Sequence, residues 1–86
     1  MDSYILKLFI SGTSMRSRKA KEYAEKLAEK RDDISLKVID VIETPDPAED
    51  YKVMATPTLI RTSPLPERRI IGGLQNMDKV IEFLDL

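Results

Sequence analysis

Two apolar runs separated by one amphipathic stretch constrain this chain more than anything else in it. Residues 4–10 (YILKLFI) are apolar except for Lys7, and residues 34–42 (ISLKVIDVI) form a second such run. Continuous β-branched and aromatic content suits strands buried on both faces, as in the middle of a parallel sheet. Between them, Ala20, Tyr23, Ala24, Leu27 and Ala28 recur at spacings of three and four, which predicts a helix over 15–31 with one narrow apolar stripe. The turn Ser11-Gly12-Thr13-Ser14 leads into it, with Ser14 as N-cap. Glu22 and Lys26 form a favourable i,i+4 pair, and Arg31-Asp32-Asp33 ends the element. Strand, helix and strand of these lengths make a βαβ unit, whose crossover is right-handed. A parallel pair is thereby fixed before the second half of the chain is read.

That second half is divided by prolines. Glu43-Thr44-Pro45 breaks the second strand. Asp46-Pro47-Ala48-Glu49 then reads as a helix start, with Asp46 as N-cap, Pro47 at the first helical position and Glu49 in the capping-box position. The helix is short and ends before Thr56-Pro57, because a residue preceding proline avoids helical angles. Residues 58–62 predict a third strand, 63–66 a loop containing Pro64 and Pro66, and 67–71 a fourth strand antiparallel to the third. Gly72-Gly73 is a turn. Residues 76–86 close the chain as a helix, with Asn76 as N-cap and Met77, Val80, Ile81 and Leu84 on one face. The order β-α-β-α-β-β-α predicts an α/β fold of thioredoxin-like topology, a four-stranded mixed sheet with helices on both faces. In such folds a segment like Ala55-Thr56-Pro57-Thr58-Leu59 is the cis-proline loop beside the active site, although the sequence leaves the isomer of Thr56–Pro57 open. Without repeats or linkers, residues 1–86 read as one domain.

Composition narrows the function. The 42% apolar content suffices for a globular domain, and 34% charged residues solvate its surface. A chain this short buries only about 60% of its unfolded surface, so stability is marginal. A net charge of −1, from 14 basic and 15 acidic residues, does not favour nucleic acid as a partner. With no cysteine, a disulfide framework, a thiolate metal site and thiol catalysis are excluded. No signal-peptide pattern opens the sequence and no apolar run approaches membrane-spanning length, so a cytoplasmic protein is expected. No phosphate loop, catalytic carboxylate pair or metal-ligand spacing appears, and the expectation is no catalytic residue, no cofactor and no metal.

Several residues still invite a functional reading. The loop before the first helix holds Thr13, Ser14, Met15, Arg16 and Ser17 where redox members of this fold carry reactive cysteines. A serine hydroxyl without a base is not an activated nucleophile, and the chain has no histidine. Arg16, Arg18, Lys19 and Lys21 put positive charge at a helix start, against the macrodipole. They read first as a solvated face balanced by Glu22, Glu25 and Glu29, and secondly as a docking patch for an acidic partner. Asp40 is expected near the C-terminal end of its strand, hydrogen-bonded or at the sheet surface. Arg61, Arg68 and Arg69 on the terminal hairpin read as charges that guard a sheet edge.

Taken in order, Tyr4-Ile5-Leu6-Lys7-Leu8, Leu36-Lys37-Val38-Ile39-Asp40-Val41, Ala55-Thr56-Pro57-Thr58-Leu59, Pro64-Leu65-Pro66 and Arg68-Arg69-Ile70-Ile71-Gly72 resemble the circadian clock family KaiB. The resemblance runs from about residue 4 to the C-terminus. It implies a regulator that binds the N-terminal ATPase ring of the hexameric KaiC. In cyanobacteria the bound KaiB then captures KaiA. It also implies fold switching between a tetrameric ground state of order β-α-β-β-α-α-β and a thioredoxin-like, binding-competent monomer. On matching positions the partner-binding residues are Ser35, Lys37, Asp46, Glu49 and Lys52. The switching half begins near Asp46, with Pro57, Pro64, Pro66, Gly72, Phe83 and Asp85 as its marker residues. Phe83 stands where the family usually has glycine, and Leu86 stands where it usually continues with an acidic tail. Both departures favour the thioredoxin-like state, hence a monomer or weak dimer. A related reading is a KaiC-sensing module like that of the histidine kinase SasA. A reading from another class is a cysteine-free thioredoxin-fold enzyme using the hydroxyls of Tyr4 and Ser14.

Overall fold

The computed structural model describes residues 3–72 and 74–86. Their elements are β1 (Tyr4–Ile10), α1 (Met15–Lys30), β2 (Ile34–Asp40), α2 (Asp46–Asp50), β3 (Thr58–Ser63), β4 (Arg68–Ile71) and α3 (Met77–Leu84). The strands lie in the order β2-β1-β3-β4. β1 runs parallel to β2, from Tyr4 opposite Ile34 to Ile10 opposite Asp40. β3 is antiparallel to both β1 and β4. This is the thioredoxin-like order. The alternative order that the resemblance allowed is not adopted, since 68–71 is strand and 77–84 is helix.

The apolar run of β1 is explained by its central place. Leu6, Leu8 and Ile10 point to one face and pack with Ala20, Ala24 and Leu27 of α1, Leu59 of β3, and Val80 and Leu84 of α3. Phe9 points to the other face and packs with Ile39 and Ile60 under Ala48, Tyr51 and Val53. α1 and α3 therefore cover one face, and α2 covers the other. Lys7, the polar exception, lies on the α2 face. Its ammonium sits 4.8 Å from the Tyr51 ring centre and donates to the Tyr51 hydroxyl at 3.2 Å. A lysine can occupy an interior strand in this way, with its stem buried and its charge against an aromatic face.

Element ends follow local hydrogen bonding. Ser14 Oγ accepts from Ser17 N, and Asn76 Oδ1 accepts from Lys79 N, so two of the three expected N-caps form. β2 ends two residues earlier than expected. The Asp40 carboxylate accepts from Ile42 N at 2.9 Å and from Gly12 N at 3.2 Å, which turns the chain out of the sheet. Of the two expected placements, Asp40 takes the hydrogen-bonded one, at the strand end. Gly12 has φ +62, and a Cβ there would meet Ile42 Cδ1 at 3.3 Å. In α2 the N-cap is Pro45, not Asp46, and Asp46 makes no side-chain cap. Pro45 already has helical angles (φ −75, ψ −26), so its carbonyl accepts from Ala48 and Glu49 and the turn starts one residue early. Arg31 ends α1 and donates twice to Asp33 at 2.8 Å, holding that carboxyl below its ordinary range through the hydrogen bond. The second glycine of the expected Gly72-Gly73 turn lies outside the described residues.

Candidate functional site

The residues singled out for partner binding come to one face. Ser35 and Lys37 lie beside Ile5 and Lys7 in register, and the period of two places them on the side of Phe9 and Ile39, the α2 face. Ser35 is half-buried and Lys37 exposed. Asp46 and Glu49 are exposed on α2, and Lys52 follows at once. Lys52 has φ +54, its amide donates to Glu49 O at 3.1 Å, and Val53 N donates to Ala48 O at 2.8 Å. This is the left-handed closure of a helix C-terminus, with Ala48 and Val53 as its apolar contact. Around these charges the face exposes large apolar groups: Met54 at 90%, Ile71 at 59% and Ile5 at 41%. Met54 and Ile71 line a cavity of about 590 Å³ together with Asp50, Lys52 and Arg69.

The hairpin arginines divide between an edge and an interior strand. Arg68 and Arg69 lie on β4, an edge of the sheet as expected, but β3 is interior and Arg61 is only 4% exposed. Its guanidinium donates to Leu84 O at 2.9 Å, Asp85 O at 3.2 Å and Pro66 O at 2.7 Å. Arg68, its cross-strand partner, donates to Phe83 O at 3.3 Å. Arg69 faces the other side and donates to Tyr51 O at 2.8 Å and to the Glu67 carboxylate at 2.6 Å. All three arginines therefore serve helix C-termini, Arg61 and Arg68 that of α3 and Arg69 that of α2. A helix end leaves carbonyls unpaired and carries partial negative charge, and a cation satisfies both. Periodicity along the hairpin could have separated the two faces, but only the packing shows which carbonyls each arginine meets.

The switch-marking residues are distributed over the same half. Thr56–Pro57, Ser63–Pro64 and Leu65–Pro66 are cis. Pro57 is buried, and its carbonyl accepts from Gly72 N at 2.8 Å. Gly72 has φ +65 with Arg16 Nη2 3.7 Å from where a Cβ would lie. Pro64 and Pro66 are exposed between β3 and β4. Phe83 is 56% exposed on α3. Asp85 caps α3 at φ +54, with Leu86 N donating to Ile81 O at 2.9 Å.

The hydroxyls considered for catalysis are not brought together. Tyr4 begins β1 beneath the Arg31 guanidinium, 5.8 Å from its ring centre, whereas Ser14 lies beyond the other end of β1. Ser14 Oγ donates to Ser17 Oγ at 3.0 Å, and Ser17 Oγ is itself bonded to Ser11 N and Ser11 O. Beside Pro57, the small cavity of about 200 Å³ is lined by Met15, Arg16 and Lys19, side chains that position no nucleophile.

This geometry can be set beside known proteins. Yeast mitochondrial thioredoxin 3 superposes with a TM-score of 0.80 at 24% identity, covering 100% of this chain and 81% of its own. The N-terminal domain of Synechococcus elongatus SasA superposes with a TM-score of 0.72 at 24% identity, covering 95% of this chain and 79% of its own. At that identity the likenesses establish the thioredoxin-like fold. In sequence, the circadian clock oscillator protein KaiB of Thermostichus vulcanus is 44% identical over 86 residues, covering 98% of this chain and 80% of its own length. The model of the KaiB domain matches residues 7–86. A match over nearly the whole chain, on a thioredoxin-like fold whose cysteine positions hold serine, threonine and methionine, makes this chain a member of the KaiB family.

Proposed function

We propose that this protein is a clock regulator of the KaiB type, binding the N-terminal ATPase ring of a hexameric KaiC-family protein and modulating its phosphorylation state. The observation that carries the reading is the composition of the α2 face. Ser35, Lys37, Asp46, Glu49 and Lys52, chosen on family-matching positions, share it with exposed Met54 and Ile71. Charged groups interspersed with exposed large apolar side chains suit a protein partner better than a small substrate. The fold is also the one the family resemblance associates with partner binding. A chain already in that arrangement loses less affinity to conformational selection than one that must switch first. Residues from Asp46 onward would then be a switching half biased towards the thioredoxin-like order.

Binding of the purified chain to KaiC from the same source, followed by size-exclusion chromatography with ATP or ADP, tests the reading. Complex formation that is lost in Lys37→Glu and in Glu49→Lys, with dispersed amide spectra retained in both, is the expected result. Absence of a complex in either nucleotide across a temperature range would overturn it.

A further inference from the structure

A cavity of about 570 Å³ opens at the C-terminal end of the parallel pair β1–β2, between the start of α1, the outer edge of β2 and the start of α2. Its size falls within the roughly 300–1,000 Å³ typical of small-molecule sites. Arg18 and Lys21, one turn apart on α1, line it together with Lys37 of β2. Among the described residues the ion pairs are Arg31–Asp33 and Arg69–Glu67, so none of these three cations has a carboxylate within 4.0 Å. The balancing glutamates expected on α1 do not reach them.

Two carboxylates also line the cavity, Asp40 and Glu43. Asp40 is already engaged by the Gly12 and Ile42 amides, and Glu43 is exposed on the loop after β2. Three cations against two carboxylates leave a net positive cavity, with the Thr13 and Thr44 side chains at its rim as further donors. Positive charge in the first turns of a helix opposes the macrodipole. A bound anion would relieve that opposition by meeting the Arg18, Lys21 and Lys37 side chains.

We propose that this cavity binds a small polyanion carrying adjacent phosphates, the chemistry shared by inorganic pyrophosphate and the tail of a nucleoside diphosphate. Lys37 is shared with the proposed partner face, and because the test needs no partner protein the two readings fail separately. Amide spectra of the full chain titrated with sodium pyrophosphate at constant ionic strength read it directly. Saturable shifts confined to the amides around Gly12, Arg18, Lys37 and Asp40 are the expected result. The double variant Arg18→Ala/Lys37→Ala removes two charge-assisted contacts and weakens binding at least about tenfold. Lys30→Ala, at the far end of α1, leaves it unchanged. ADP binding more tightly than pyrophosphate assigns the nucleotide as occupant, and equal affinity assigns the bare phosphate chain; both support the site. Unsaturable drift spread over all basic residues, or binding retained by the double variant, shows an adventitious ion only and overturns it. A phosphoserine peptide that outcompetes pyrophosphate at the same amides would overturn the small-molecule occupant.

Discussion

Arg61 shows how much one side chain can hold in this protein. It is a buried cation with no carboxylate partner among the described residues; its two terminal nitrogens donate to three backbone carbonyls, while its Nε is buried without a partner. Those carbonyls belong to the end of α3 and to the β3–β4 loop, so the guanidinium ties the last helix to the sheet. Replacing it by methionine keeps the packing volume and leaves the carbonyls unpaired. Arg61→Met is expected to lower stability by about 3 kcal/mol in urea denaturation. Tyr23 goes further. Its hydroxyl is shut away with no hydrogen-bond partner among the described residues. Burial, and then the nearby Asp78 charge, raise its pKa above the ordinary 10.0. The folded state thus holds the phenol proton more tightly than the unfolded chain. The resulting stabilisation is full below pH 10.0 and is lost as pH rises through the folded value. Removing an unsatisfied hydroxyl relieves its desolvation, so Tyr23→Phe is expected to gain about 1 kcal/mol at neutral pH. The same variant should lack part of the alkaline loss seen in the parent by thermal melts.

At the scale of elements, α3 is the informative one. Its N-cap, its apolar stripe and its two buried residues, Val80 and Leu84, are the ordinary devices of an amphipathic helix. Its C-terminus closes through Asp85 in the left-handed region, a conformation that costs an L-residue roughly 1–2 kcal/mol and glycine nothing. Asp85→Gly is therefore expected to raise the melting temperature, by about 4–8 °C for each kcal/mol recovered. Phe83 is more than half exposed, so its contribution to α3 is helix propensity rather than packing. Phe83→Gly should cost about 0.5 kcal/mol of unfolding free energy in urea denaturation. α3 and its caps were largely legible in the sequence because periodicity and capping are local. The start of α2 was not fully so: the Asp46-Pro47-Ala48-Glu49 pattern pointed to the right segment, but Pro45 had already taken helical angles. The end of β2 was missed for a similar reason, since Asp40 competes for the Ile42 amide.

At the scale of the molecule, the sheet order and the two cores distinguish one arrangement from the other that the family resemblance allows. Backbone chemical shifts are expected to report strand at 68–71 and helix at 77–84, and sedimentation is expected to report a monomer or weak dimer. A tetramer with helical shifts at 68–71 would mean that the alternative order dominates in solution. The whole-molecule view also separates two surfaces that the sequence ran together. The basic residues of α1 read as one helix face, yet Arg16 and Lys19 border the Pro57 loop while Arg18 and Lys21 border the cavity beside β2.

The sequence by itself determined the order of elements, the parallel pair, the absence of thiol chemistry and the family. Each of these is written in spacing, in composition or in short ungapped blocks. Tertiary structure alone decided what the charges do. Ser35 and Lys37 share the sheet face that α2 covers because β2 flanks β1 in register. Arg61, Arg68 and Arg69 reach helix ends more than ten residues away in the chain. A long cationic side chain finds its partner through space, and its neighbours in sequence carry no record of which carbonyl the fold will bring to it.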